Sequence, residues 1–331
     1  MPHLKMLSST LELPHRTRVP VDRINRQADE HGVATARVEL TGTVDRSRLF
    51  APTSLAPLAH SAIFSQLTDA QQRRYNQLTA MMQNEIICFF EQEFAAWVLP
   101  ALLRDKSISR EMTRSVEQFV EDERQHTQLF RGLNRLAEPG WYATSDYHIL
   151  RIPTAFRVML RVMTTHPRLF PMVFWIMLMM EERSLMISRR YAAMDPASIE
   201  PHFAATYAAH LEDEVRHVQI DWHLLERFYQ SRPKWIRRIN GRLLEAFIVG
   251  LFLKPRRANV RLVELLIEEF PELSAKRAAL IAAVHDLFNN PGYRDLMYSV
   301  DSTPIAMALF EQLPEMRRVR ERVYLAKGAA T

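Results

Sequence analysis

Two copies of one short pattern constrain this chain more than any other feature of it. Glu121-Asp122-Glu123-Arg124-Gln125-His126 and Glu212-Asp213-Glu214-Val215-Arg216-His217 both read Glu-Asp-Glu-x-x-His. On a helix, residues three apart share a face, so Glu123 with His126 and Glu214 with His217 each aim a carboxylate and an imidazole at a common point. Val116, Phe119, Val120 and Phe130 surround the first pair at helical spacing, as Phe203, Tyr207, Val218 and Leu225 surround the second. Both pairs therefore fall in an apolar stripe, where an unpaired charge is costly. A metal ion satisfies both, provided the fold brings the two helices together.

The surrounding pattern supplies such a fold. Apolar residues recur at helical spacing from Asp69 through Tyr75, Leu78, Met82, Ile86, Phe90, Phe94 and Trp97, with Thr68-Asp69 resembling a cap. This predicts a helix over 69–104, a turn at 104–109 and a second helix over 110–136. A second hairpin follows a loop containing Pro139-Gly140 and Pro153, with helices over 168–194 and 201–229 broken by Asp195-Pro196, and each Glu-x-x-His lies on the second arm of its hairpin. The tail reads as further helices over 235–252, 259–268, 273–288 and 303–327, punctuated by Pro255, Pro271 and Pro291. Residues 1–55 read as an arm, with Val/Thr alternation near Val33–Val44 suited to a short strand or an extended segment, and 56–331 as one helical domain with its bundle over about 70–230. The fold class is all-α: a ferritin-like four-helix bundle with additional C-terminal helices and an irregular N-terminal arm. Composition agrees, since 8 Gly against 16 Met and 17 Phe leave few residues for the positive-φ turns of sheet architectures.

Ferritin-like di-metal proteins combine two Glu-x-x-His pairs with one Glu from each of the other two helices. A turn near 107 sets Glu123 opposite about position 91, admitting Glu91 or Glu93. At about 100° per residue Glu93 falls in the stripe of Ile86, Phe90 and Trp97, which selects Glu93. In the second hairpin Glu214 faces about position 180, admitting Glu181 or Glu182; the apolar Leu185 and Met186 favour Glu182. Ile86, Phe90 and Met186, near these carboxylates, are the candidate lining of a substrate pocket. Asp122 and Asp213, just before the glutamates, are suited to accept the free N–H of a ligating histidine on another helix. His210 precedes Glu214 by four and His217 by seven, so it joins their stripe.

His210-Leu-Glu-Asp-Glu214-Val-Arg-His217 and Glu123-Arg-Gln-His126 resemble the bacterial arylamine N-oxygenases, typified by p-aminobenzoate N-oxygenase and the arylamine oxygenase of chloramphenicol biosynthesis. That family uses Glu, Glu-x-x-His, Glu, then His-x-x-x-Glu-x-x-His. The resemblance implies seven metal ligands, here Glu93, Glu123, His126, Glu182, His210, Glu214 and His217. It implies two iron ions, O₂ as co-substrate and an external electron donor. It also implies stepwise oxidation of an aromatic amine through hydroxylamine and nitroso to nitro, in natural-product biosynthesis. The resemblance implies that a free substrate carboxylate is held by an Arg of the C-terminal helices; Thr303–Leu313 contains none, which favours a larger aryl amine tethered to an acidic carrier protein. Arg237, Arg238, Lys254, Arg256 and Arg257 are candidates to dock it. The rival readings are a di-iron hydroxylase or desaturase acting on carbon, and a non-catalytic ferritin-like metal-binding protein; manganese in place of iron fits the same ligands.

What the composition excludes is as useful. One cysteine, Cys88, rules out a disulfide scaffold and a thiolate metal site. A net charge of +5 falls short of a nucleic-acid-binding tail. No flavin or dinucleotide fingerprint is visible, so electrons come from outside. The longest apolar runs, Leu169–Met180 and Leu243–Leu253, fall short of the about 20 residues that span a bilayer, and Met1–Ser8 lacks a secretory signal pattern. The expectation is a cytoplasmic protein without a transmembrane segment, with a homodimer as a candidate assembly.

Overall fold

Capping residues set where the long helices begin. Thr68 and Gln71 form a reciprocal capping box at the start of a helix over Asp69–Phe90. Ser109 Oγ accepts from Met112 N at the next long helix, and Glu200 accepts from Phe203 N ahead of a helix with proline in its first turn. The computed structural model describes residues 18–253 and 256–324, with the side chains of 251–253 and 256 left aside. In chain order the helices are α1 (Val21–His31), α2 (Asp69–Phe90), α3 (Ala96–Leu103), α4 (Arg110–Ala137), α5 (Thr154–Thr165), α6 (Met172–Ala192) and α7 (Pro201–Leu224). They continue as α8 (Lys234–Phe247), α9 (Arg256–Glu269), α10 (Arg277–Asp286), α11 (Pro291–Met297), α12 (Pro304–Gln312) and α13 (Arg317–Val323). The architecture is all-α. Among the described residues the only strand-like pairing is one isolated bridge, Leu49 with Ile199.

α2, α4, α6 and α7 form the bundle, with α6 packed along α7 and α2 along α4. A π-helical turn, Glu91–Ala95, joins α2 to α3, and others follow α7 and α8. The helical stretch Asp69–Leu103 passes a length-and-apolarity test for membrane crossing, which a count of uninterrupted apolar runs does not reveal. Its Asn76, Gln77, Asn84, Glu85 and Glu91 are buried against the protein, as suits a bundle's core helix.

The core divides into two apolar clusters along the bundle axis. One contains Phe94, Phe119, Trp175 and Val218; the other contains Tyr75, Phe130, Tyr207 and Leu262. Because 119 and 130 bracket Glu123 and His126, and 207 and 218 bracket His210, Glu214 and His217, the polar layer lies between them.

Two segments differ from the sequence reading. The arm carries a helix, α1, and the Val33–Val44 region makes a 3₁₀ turn at Thr35–Arg37 and no strand. Residues 154–165, read as part of a loop, form α5. Lys254 lies outside the described residues, and Arg237, read as free for docking, sits 3.1 Å from Glu315.

Candidate metal centre

Within that layer the two repeats brace each other. His126 Nε2 lies 3.2 Å from Asp213 Oδ2, and His217 Nε2 lies 3.1 Å from Asp122 Oδ2. Each histidine is thus held by the aspartate that precedes the other repeat's glutamate. A carboxylate partner fixes the proton on Nε2 and leaves Nδ1 with its lone pair turned inward. Arg216 Nη2 bridges the two aspartates, 3.1 Å from Asp122 Oδ2 and 2.9 Å from Asp213 Oδ1. Asp213 also accepts from Ala34 N, Thr35 N and Thr35 Oγ1 at 3.0–3.1 Å. Burial would raise the Asp213 carboxyl, but His126 and the Ala34 and Thr35 amides hold it well below the usual carboxylate range.

Inside this frame, Glu214 is central. Its Oε1 lies 2.9 Å from His210 Nε2, 3.5 Å from His126 Nδ1 and 3.4 Å from His217 Nδ1. Glu91 Oε1 lies 3.6 Å from His126 Nδ1 and 3.7 Å from His210 Nε2, while its Oε2 accepts from Thr127 Oγ1 at 2.9 Å. Glu123 Oε1 is 3.4 Å and Glu181 Oε2 is 3.7 Å from His217 Nδ1. Two overlapping groups result, Glu91/His126/His210 and Glu123/His126/Glu214/His217, with the donor atoms of each lying within 4.8 Å of one another. Phe119 stacks on His217 at 3.9 Å and Phe130 meets His210 edge-on at 4.9 Å, so aromatic rings wall the layer.

The donors themselves fit a metal. Both oxygens of Glu123, Oε2 of Glu214 and Nδ1 of His126 and His217 are buried without a hydrogen-bond partner, and Nε2 of His210, 2.9 Å from Glu214 Oε1, has no well-directed one. Native proteins rarely leave such atoms unmatched, and here they converge on one region. Without metal the layer's charges fall on protons. Burial first, then neighbouring carboxylates, push Glu123 and Glu181 far up, whereas His210 and His217 outweigh burial to hold Glu214 well down. His210 rises to about 9, burial opposing and Glu214 and Glu91 prevailing. A divalent cation replaces such shared protons.

The family model of p-aminobenzoate N-oxygenase AurF matches residues 39–287, about three quarters of the chain. The chain belongs to this family. No curated protein matches it. The AurF-type family is one of di-iron N-oxygenases, and this chain has buried histidine and glutamate groups able to hold metal. The matched region spans every residue of the polar layer and ends before α11, so α11–α13 lie outside it.

Membership leaves open which glutamate each first arm supplies, and here the geometry departs from the wheel. Glu93 turns away from the layer to an ion pair with Arg157 at 2.7 Å, and Glu91 takes the inward position. The wheel is oriented partly by Trp97, which lies beyond the π turn and is half-buried under Arg161, 4.3 Å from the ring centroid. A π turn shifts the register of the residues after it, so Trp97 reports a different face. The better guide is Asn84 and Cys88, buried and seven and three residues before Glu91. Glu182 likewise turns away. Its oxygens accept from Ile305 N at 2.6 Å and Ala306 N at 2.8 Å, capping α12 from outside. Glu181 faces the layer in its place, on the row of Ser184 and Ser188; Ser184 Oγ lies 3.4 Å from His210 Nδ1. These small polar residues were the available signal. Ile86, Phe90 and Met186 sit in the core packing on either side of the layer.

Sequence reasoning also passed over Arg216, which ties the two aspartates, and Asp221. Asp221 is fully buried four residues after His217, and neither of its oxygens has a hydrogen-bond partner.

Proposed function

We propose that this chain is a di-iron monooxygenase that oxidises the nitrogen of an aromatic amine. The observation that carries the reading is the convergence of buried, partnerless donors from Glu123, His126, His210, Glu214 and His217, with Glu91 and Glu181 completing the set. Glu91, Glu123, His126, Glu181, His210, Glu214 and His217 would hold two irons, which when bound supply O₂ activation. Four carboxylates balance the charge of two divalent ions, while three imidazoles add neutral donors. Asp122 and Asp213 orient His217 and His126, and Arg216 ties those aspartates together by donating to both. Phe119 and Phe130 exclude water from the histidine side of the layer.

The first step balances as an amine, O₂, two electrons and two protons giving a hydroxylamine and water. Further rounds lead to nitroso and nitro products. The electrons come from an external reductant. Ile86, Phe90 and Met186 are the proposed lining for the aryl ring, and the substrate is an aryl amine, free or carried by an acidic carrier protein. The third histidine favours nitrogen over carbon as the site of oxidation, by likeness to the family's ligand pattern.

The test is metal analysis, then optical spectra of the reduced protein on adding O₂, then turnover of p-aminobenzoate and of larger p-aminophenyl compounds against an aliphatic acyl substrate. Two irons per chain, an O₂-dependent absorption change and an oxidised amine are expected. Manganese without an O₂ response, or oxidation of the acyl chain alone, would overturn the reading.

A further inference from the structure

The described surface is unevenly apolar. Of the nine large hydrophobic residues that stand exposed, seven lie on α5, on α8 or in the turn after α5, so the exposure is concentrated and asks for an occupant. On α8, Trp235 (63% exposed), Ile239 and Leu243 follow one another at four-residue intervals along a single face. On α5 and the turn after it the residues are Val158, Met159, Val162 and Leu169 (62% exposed).

The two helices touch. The rings of Phe156 and Phe247 stack at 6.2 Å, and Asn240 Nδ2 donates to Leu169 O at 3.2 Å. Leu160 and Met163 of α5 and Leu244 of α8 enter the same core cluster. Gly241 fixes the inner face of α8, because a Cβ there would stand 2.9 Å from the Glu315 carbonyl. What remains outward is the apolar row.

Charge narrows the occupant. Residues 147–180 contain four arginines and no Asp or Glu, and residues 227–244 contain five arginines, one lysine and no Asp or Glu. Arg238 and Arg242 are exposed beside the Trp235–Ile239–Leu243 row, and among the described residues neither has a carboxylate partner. The face continues into a cleft of about 690 Å³ whose lining includes Arg104, Lys106, His166 and the ion pair of Arg168 with Asp105. A second copy packed face to face would set these cations against each other, since a two-fold interface pairs a patch with itself. Two adjacent helices with aliphatic and Trp side chains in front and Lys/Arg beside them are instead suited to the boundary between headgroups and acyl chains.

We propose that the α5–α8 face docks this protein on an anionic membrane surface, with Trp235, Ile239, Leu243, Val158 and Val162 entering the interface and Arg238 and Arg242 meeting lipid phosphates. This is peripheral attachment, independent of the reaction.

The experiment is co-sedimentation of the full chain with vesicles of phosphatidylcholine alone and of an equal mixture with phosphatidylglycerol, alongside the tryptophan fluorescence of the chain less that of Trp235→Phe. Binding to the anionic vesicles alone is expected, with a blue shift and weakening by salt. The pair Trp235→Ser/Ile239→Ser and the pair Arg238→Glu/Arg242→Glu should each weaken it at least tenfold, with the melting temperature unchanged because all four side chains are exposed. No binding to anionic vesicles, or binding that neither pair weakens, would overturn the proposal. So would a dimer seen by light scattering that Trp235→Ser dissociates in a protein that ignores vesicles, or binding to polyglutamate without binding to lipid.

Discussion

Asp213 gathers more of the site's order than any other residue. It receives His126, Arg216, the amides of Ala34 and Thr35, and the Thr35 hydroxyl, so it fixes an imidazole while being fixed itself. Asp213→Asn should lower iron affinity by about 10–100-fold, read by chelator competition, with the helical circular dichroism unchanged. Asp122→Asn should act similarly through His217. Glu91→Gln and Glu181→Gln should each reduce the iron retained after desalting, whereas Glu93→Gln, which breaks only the contact with Arg157, should leave it intact. An equal loss in Glu93→Gln would return the ligand role to Glu93. The Glu-x-x-His pairs were legible because an i, i+3 relation holds wherever a helix is regular. Glu91 was not, because the π turn that begins at it is not written in the apolar period, and because Arg157, the partner that draws Glu93 away, stands on a helix that was read as loop.

At the scale of elements, α12 depends on a carboxylate from α6. Glu182 satisfies two amides at its first turn, where Thr303 gives no side-chain cap. Glu182→Ala should therefore lower stability by about 2–4 kcal/mol, seen as a lower denaturant midpoint, while the bound iron is retained. His202 ties the arm to α7 with both ring nitrogens facing acceptors, 2.8 Å from Glu200 Oε1 and 2.8 Å from Thr41 O. The hydrogen bond with Glu200 raises its pKa above the ordinary 6.5, burial opposing. A raised folded-state pKa contributes stability that is complete below the unfolded value and is lost as pH rises through the folded one. Amide-exchange protection around Thr41 should accordingly fall as pH climbs above about 6.5, and should be lower and pH-independent in His202→Gln once intrinsic exchange rates are divided out. Long helices with capping residues were legible for physical reasons: their apolar rows persist over many turns. α5 was hidden because Pro139-Gly140 and Pro153 signal a loop, and only the second of these prolines marks where a helix begins.

The whole molecule is two apolar clusters with a polar layer between them and an arm laid across one side. The arm's 3₁₀ turn delivers the amides of Ala34 and Thr35 to Asp213, and Gln77 Nε2 holds the Arg46 and Arg48 carbonyls. Thr35→Pro removes the amide and the hydroxyl that donate to Asp213 and disfavours the helical conformation of Ala34, now at φ −64° and ψ −40°. The bundle should still fold, while iron affinity falls roughly tenfold, less than in Asp213→Asn because the other donors remain. That the arm is irregular was legible from its polar, Arg- and Thr-rich sequence. That it reaches the inner layer was not, since nothing local in residues 34–35 refers to a carboxylate far along the chain.

That distance has a consequence for how the protein is made. Thr35 and Asp213 are 178 residues apart, so at roughly 5–20 residues per second of synthesis the arm leaves the ribosome on the order of ten to forty seconds before its partner exists. A metal ion that meets the nascent chain in that interval lacks at least Glu214 and His217, which follow Asp213 in the chain. The donor set is therefore complete only once the second hairpin has been made, and Asp213 is braced only when the arm, made long before it, has closed over α7.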